Sequence, residues 1–78
     1  MGVNYTSLDL ASPLKRYRII DIEAGRGLRE KILEMGMTPG SEIRVIRNAR
    51  GHIIVLVRGV SIAISRGIAK KIILETLE

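Results

Sequence analysis

No cysteine, phenylalanine or tryptophan occurs in this 78-residue chain. Without cysteine there is no disulfide staple, no thiolate nucleophile and no Cys-based zinc site. Tyr5 and Tyr17 are the only aromatic residues besides one histidine, so the stacking platforms that usually hold single-stranded nucleic acid are scarce. That histidine, His52, has no second imidazole to join it. Asp21, Glu23 and Glu42 offer oxygens, but none stands at a chelating spacing from it. No stretch approaches the roughly 18–20 apolar residues of a membrane span. The start, "MGVNYTSLDLAS", lacks a basic region followed by an apolar one, so no signal peptide is expected. Its agreement with the short MGxxxT myristoylation pattern has no other support. A soluble cytoplasmic protein is the expectation.

Acid is missing too, but only locally. Between Ile43 and Leu74 there is no Asp or Glu, while Arg44, Arg47, Arg50, Arg58, Arg66, Lys70 and Lys71 all fall there. With a net charge of +5, one part of the molecule should be strongly positive. Such a patch suits nucleic acid, an anionic membrane surface or an acidic protein face. The ordinary alternative is a solvated surface that keeps the domain in solution.

What is abundant is isoleucine and valine within a 46% hydrophobic composition, a bias that favours strands. A chain of this length makes one small domain, and dense aliphatic packing or a partner must stabilise it. Residues 1–14 are expected to be a loose lead-in with an apolar cluster at Leu8, Leu10 and Leu14, and residues 15–78 the folded domain. "KRYRIIDI" alternates as a strand with Tyr17, Ile19 and Asp21 on one face. "LREKILEM" has helical spacing through Leu28, Ile32 and Met35, with Leu33 beside them.

Gly36 then fits the left-handed position just past a helix end, and Met37 is placed to fold back on Ile32. Thr38-Pro39-Gly40-Ser41 fits a type II turn, with proline presetting φ and glycine taking the positive φ. Three further strands are expected in "EIRVIR", "HIIVLV" and "VSIAIS". "HIIVLV" is apolar on both faces and should be the most central, and Arg58-Gly59 makes a tight hairpin. "RGIAKK" gives a single helical turn and "IILETL" a last strand. The sum is a mainly β protein: a small SH3-like barrel of about five antiparallel strands, with one short helix after the first.

Chemistry is thinly supplied. Gly25-Arg26-Gly27 opens like a dinucleotide loop, but Glu30 occupies the third glycine position and would face the pyrophosphate. A turn needing positive φ explains these glycines better. There is no Walker A sequence. Ser61 and Ser65 have no evident histidine partner. No enzyme activity, catalytic residue, metal ligand or cofactor is expected. The remaining choice lies between a protein-binding adaptor and a small-barrel RNA binder, and the missing aromatic platforms favour the adaptor.

The run "LREKILEMGMTPGSEIRV" followed by "RGVSIAISRGIAKKI" resembles the ferrous iron transport protein A (FeoA) family. The resemblance falls on Leu28, Arg29, Leu33, Met35, Gly36, Met37, Pro39, Gly40, Ile43 and Val45. It continues on Arg58, Gly59, Ile62, Ala63, Ile64, Ala69 and Ile72, and covers about Lys15 to Leu77. It implies an SH3-like barrel that serves ferrous iron uptake by docking on the FeoB-type permease, a membrane protein with a cytoplasmic GTPase domain. Arg47, Arg50 and Arg58 flank the central hairpin and are the expected partner-binding group. The sparse ligand set carries its own expectation: the purified protein should bind Fe(II) no more tightly than a surface carboxylate does. Calorimetric titration checks this, and a stoichiometric micromolar isotherm abolished by His52→Ala would overturn it.

Overall fold

A computed structural model describes residues 4–77. Six antiparallel strands form one sheet in the order β1-β6-β2-β3-β4-β5, giving the expected SH3-like architecture with one strand more than anticipated. The strands are β1 Tyr5–Ser7, β2 Arg16–Ile22, β3 Glu42–Asn48, β4 His52–Val57, β5 Val60–Ser65 and β6 Ile72–Thr76. Helix α1 spans Arg26–Glu34 after β2, and α2 is the single turn Arg66–Ala69.

The extra strand lies in the stretch read as a loose lead-in. Tyr5 pairs with Glu75 and Ser7 with Ile73, so β1 extends the sheet beyond β6. A 3-10 turn, Leu8–Leu10, follows it and drives Leu8 fully into the core, while Leu10 and Leu14 stay exposed. The expected Leu8–Leu10–Leu14 cluster therefore does not form. A three-residue strand is too short to show alternation, so only its pairing reveals it. Residues 1–3 of that lead-in, the first half of the MGxxxT pattern, lie outside the described residues.

Two bulges interrupt the alternation of β2 and β3. In β2 the register shifts between Ile19 and Asp21. Ile20 bulges outward, Asp21 turns to the surface, and Ile22 joins Tyr17 and Ile19 in the core. In β3 a shift between Val45 and Arg47 does the same: Arg47 pairs with Ile54 on the outer face rather than following Ile43 and Val45 inward. Burying an unpaired charge costs far more than a local kink in the ladder. Each bulge keeps one charge out of the core.

The stretch from α1 to β3 behaves as read. Met37 N–H donates to Ile32 O at 3.3 Å and Gly36 N–H to Leu33 O at 3.0 Å, the paired bonds of a Schellman ending. Gly36 sits at φ +91°, and both Met37 and Ile32 are fully buried. Ser41 N–H donates to Thr38 O at 3.0 Å with Gly40 at φ +94°, as a type II turn requires. The turn is stitched to β2, since Gly40 N–H reaches Ile19 O at 2.6 Å and Ile19 N–H reaches Ser41 O at 2.9 Å. The loop before the helix departs from expectation. Gly25 is the N-cap with φ −67°, and Arg26 and Gly27 already belong to α1, so no positive φ is used there.

Strand β4 is not the centre of the sheet. It is next to last, and only Ile53, Val55 and Val57 face the core, while Ile54 and Leu56 lie half-buried on the outer face. An apolar run on both faces marked a partly uncovered surface rather than a strand covered twice. At the far side, Asn48 and Arg66 tie three segments together. Asn48 Nδ2 donates to Asp9 O and Ala11 O at 3.0 and 2.8 Å, and Arg66 donates to Asn48 Oδ1 at 2.7 Å. Arg66 also donates to Asp9 O and Ala49 O.

Two predictions follow from these contacts. At Gly40 an added Cβ meets nothing within 4 Å, so Gly40→Val isolates the cost of positive φ. A loss of about 1–3 kcal/mol is expected in denaturant unfolding, a large share of what a small domain holds. Asn48→Ala removes its hydrogen bonds to Asp9 O and Ala11 O and leaves Arg66 without its Oδ1 acceptor, with an expected loss of about 1–3 kcal/mol. An unchanged midpoint in either case would contradict the stated geometry.

Candidate functional site

The basic residues fall into distinct groups once the chain is folded. Arg16 pairs with Glu42 at 3.1 Å, Arg18 with Glu75 at 3.8 Å and Arg29 with Asp21 at 3.9 Å. These pairs are exposed or, at Glu75, partly exposed, and surface pairs contribute little, though Arg29 also donates to Ile22 O at 2.8 Å, tying α1 to β2. Arg66 is consumed by the Asn48 network. Arg44, Arg47 and Arg50 are exposed and make no ion pair among the described residues.

The three arginines singled out from the sequence do not form one cluster. Arg47 lies at the β3 bulge and Arg50 in the β3–β4 turn. Arg58 lies beyond the other end of β4. Six strand residues separate the two turns, about 20 Å at the rise of a β-strand. Arg58 itself occupies the left-handed region at φ 52° and precedes Gly59 at φ 79°, so the two-residue hairpin is of type I′. Its guanidinium leans towards Thr38 Oγ1 and Ser41 Oγ, both at 3.4 Å. That places Arg58 over the Pro39-Gly40 turn and away from the other two.

Arg47 instead borders an open groove of about 420 Å³ on the outer face of β3, β4 and β5. Ala49, Gly51, His52, Ile54 and Ala63 complete its lining. Its geometry follows from pairing: Arg47, Ile54 and Ala63 stand side by side across three strands. The Ile46 bulge, 41% exposed, is what turns Arg47 towards them. Sequence reading missed Ile54 as a surface residue. The signal was present in the two-faced apolar pattern of "HIIVLV", which has no place for its second face unless the sheet is covered there.

The groove offers an apolar floor, a guanidinium at its rim and an imidazole at its end. It has the makings of a recognition surface rather than a reaction centre. Among the described residues no group of three His, Asp or Glu is placed to hold a metal ion. No helix among them is long and apolar enough to cross a membrane.

Comparison with known proteins matches this architecture. The FeoA domain family matches residues 6–76, and so takes in most of the stretch read as a lead-in. A Methanocaldococcus jannaschii chain, provisionally named Fe(2+) transport protein A, is 44% identical over 57 residues, covering 73% of this chain and 70% of its own. A crystal structure described as the iron uptake regulatory protein FeoA is 32% identical with a TM-score of 0.88, covering 95% of this chain and 99% of its own. The solution structure of iron(II) transport protein A from Clostridium thermocellum is 27% identical with a TM-score of 0.86. It covers 92% of this chain and 46% of its own length. With the motif residues from Leu28 to Val45 and from Arg58 to Ile72 in place on this framework, the chain belongs to the FeoA domain family.

Proposed function

We propose that the protein is an accessory of a ferrous iron uptake system, acting by contact with a FeoB-type permease and GTPase. The observation that carries this reading is the groove beside Arg47, which joins an apolar floor to cationic groups that make no ion pair among the described residues. Interfaces concentrate their binding energy in a few anchors seated against apolar surface, with arginine prominent among them. On this reading the protein works in the cytoplasm, at the inner face of the membrane where the permease exposes its GTPase domain. An acidic segment of the permease would lay apolar side chains on Ile54 and Ala63 and a carboxylate against Arg47. Arg50, in the turn between the lining residues Ala49 and Gly51, steers the approach on this reading. Arg58, beyond the opposite end of β4 from Arg50 and leaning towards Thr38 and Ser41, is a turn residue on this reading rather than a contact.

The test is co-purification of the tagged chain with the permease, for Arg47→Glu, Arg50→Glu and Arg58→Glu, across a salt series. Arg47→Glu should weaken association at least about tenfold, Arg50→Glu less, and Arg58→Glu hardly at all. RNA binding is measured on the same samples. Tight single-stranded RNA binding at physiological salt, falling steeply as salt rises, with permease association indifferent to all three changes, would replace this reading with an RNA-binding one.

A further inference from the structure

Strand β5 is an edge with none of the usual protection. It is the last strand of the sheet, and no strand lies beyond it among the described residues. Proteins blunt such edges with charges, proline, bulges or shortness. The opposite edge, β1, is only three residues long. By contrast β5 spans six residues, Val60–Ser65, with no charge and no proline, and its pairing with β4 runs without a bulge from Val57↔Val60 to His52↔Ser65.

Alternation identifies its free backbone groups. Val57 and Val60 flank the two-residue turn as a hydrogen-bonded pair, so the amides of Val60, Ile62 and Ile64 serve β4. Those of Ser61, Ala63 and Ser65 then point away from the sheet, and these three residues are exposed. None of the three makes a bond to another turn or loop backbone among the described residues. Val60, 58% exposed, and half-buried Ile62 lie along the same open border.

The sequence of this edge selects its occupant. Ser61-Ile62-Ala63-Ile64-Ser65 reads the same in both directions. Two antiparallel copies related by a two-fold axis at Ala63 therefore pair like with like: Ala63 with Ala63, Ile62 with Ile64, Ser61 with Ser65. The bonding residues of each edge meet in this register, the isoleucines extend one core towards the other, and only small side chains face outward. Although each chain carries +5, no charge stands on the paired segment. We propose that β5 is a self-association edge, through which two copies of this chain join their sheets into one.

A two-fold contact of this kind consumes both long edges, and the short β1 edges give no template for further growth, so association closes at the dimer. The contact is small, so the dimer should be weak and concentration-dependent.

Sedimentation equilibrium from about 10 µM to 1 mM tests it, the range suiting a small interface. The mass average should climb from 8.6 kDa towards twice that value. Amides of Ser61 and Ala63, open in the monomer, should gain protection from hydrogen exchange as concentration rises. Ala63→Pro removes an outward N–H without touching the β4 ladder, and Ala63→Lys sets two ammonium groups opposite each other across the axis. Each should weaken association about tenfold or more, and the lysine variant should recover in high salt. Thermal melts of dilute samples confirm that both variants fold. A monomer at 1 mM, or a dimer indifferent to both substitutions and without protection at Ala63, would overturn the proposal.

Discussion

The junction between α1 and β3 depends on glycine backbone that no other residue adopts without strain. Gly36 ends the helix and Gly40 reverses the chain, both with positive φ. Between them Met37 is drawn fully into the core. The reversal is then bonded to Ile19 on both sides of its peptide, which fixes where β3 begins beside β2. Everything downstream inherits that register: the β3 bulge, the direction of Arg47, and the outward placement of Ile54 and Ala63. A domain this small has little stability to spare, so a local conformational constraint decides the position of a whole surface.

The aliphatic core works within that frame. Its buried side chains are almost all Ile, Leu and Val, with Met37, Tyr17 and two alanines, and no polar or charged residue is buried among the described residues. Tyr17 is the one buried aromatic, and its hydroxyl accepts the Ser12 N–H at 2.8 Å, so its polar tip is satisfied. The price of such an apolar core in so short a chain is surface that stays apolar. Ile46, Ile54, Leu56 and Val60 lie wholly or partly in contact with water. Scattered singly these would need no comment, but they share the outer face and free border of β3 to β5.

Charge was the most misleading feature in one dimension. An acid-free run from Ile43 to Leu74 looks like one basic patch. Folding spreads it over both ends of a hairpin and puts Arg66 to structural work against the carbonyls of Asp9 and Ala49. Arg66 and Asn48 hold the 3-10 segment, the end of β3 and α2 together, a role invisible to motif reading because their partners are backbone atoms up to 57 residues away in sequence.

The amino-acid sequence by itself determined the local devices. Helix α1 and its stop, the Pro39-Gly40 turn, the Arg58-Gly59 hairpin and the alternating strands depend on near-neighbour sterics and on apolar period. Such forces are readable within a window of a few residues. The tertiary structure alone decided the rest. Whether Asp21 and Arg47 point in or out was settled by bulges, which arise because a charge cannot enter a core that distant strands create. Whether "HIIVLV" is covered on one face or two, whether Tyr5–Ser7 pairs, and which strand is left as an edge are questions of what lies alongside. Strand neighbours far apart in the chain answer them, and no local window contains that information.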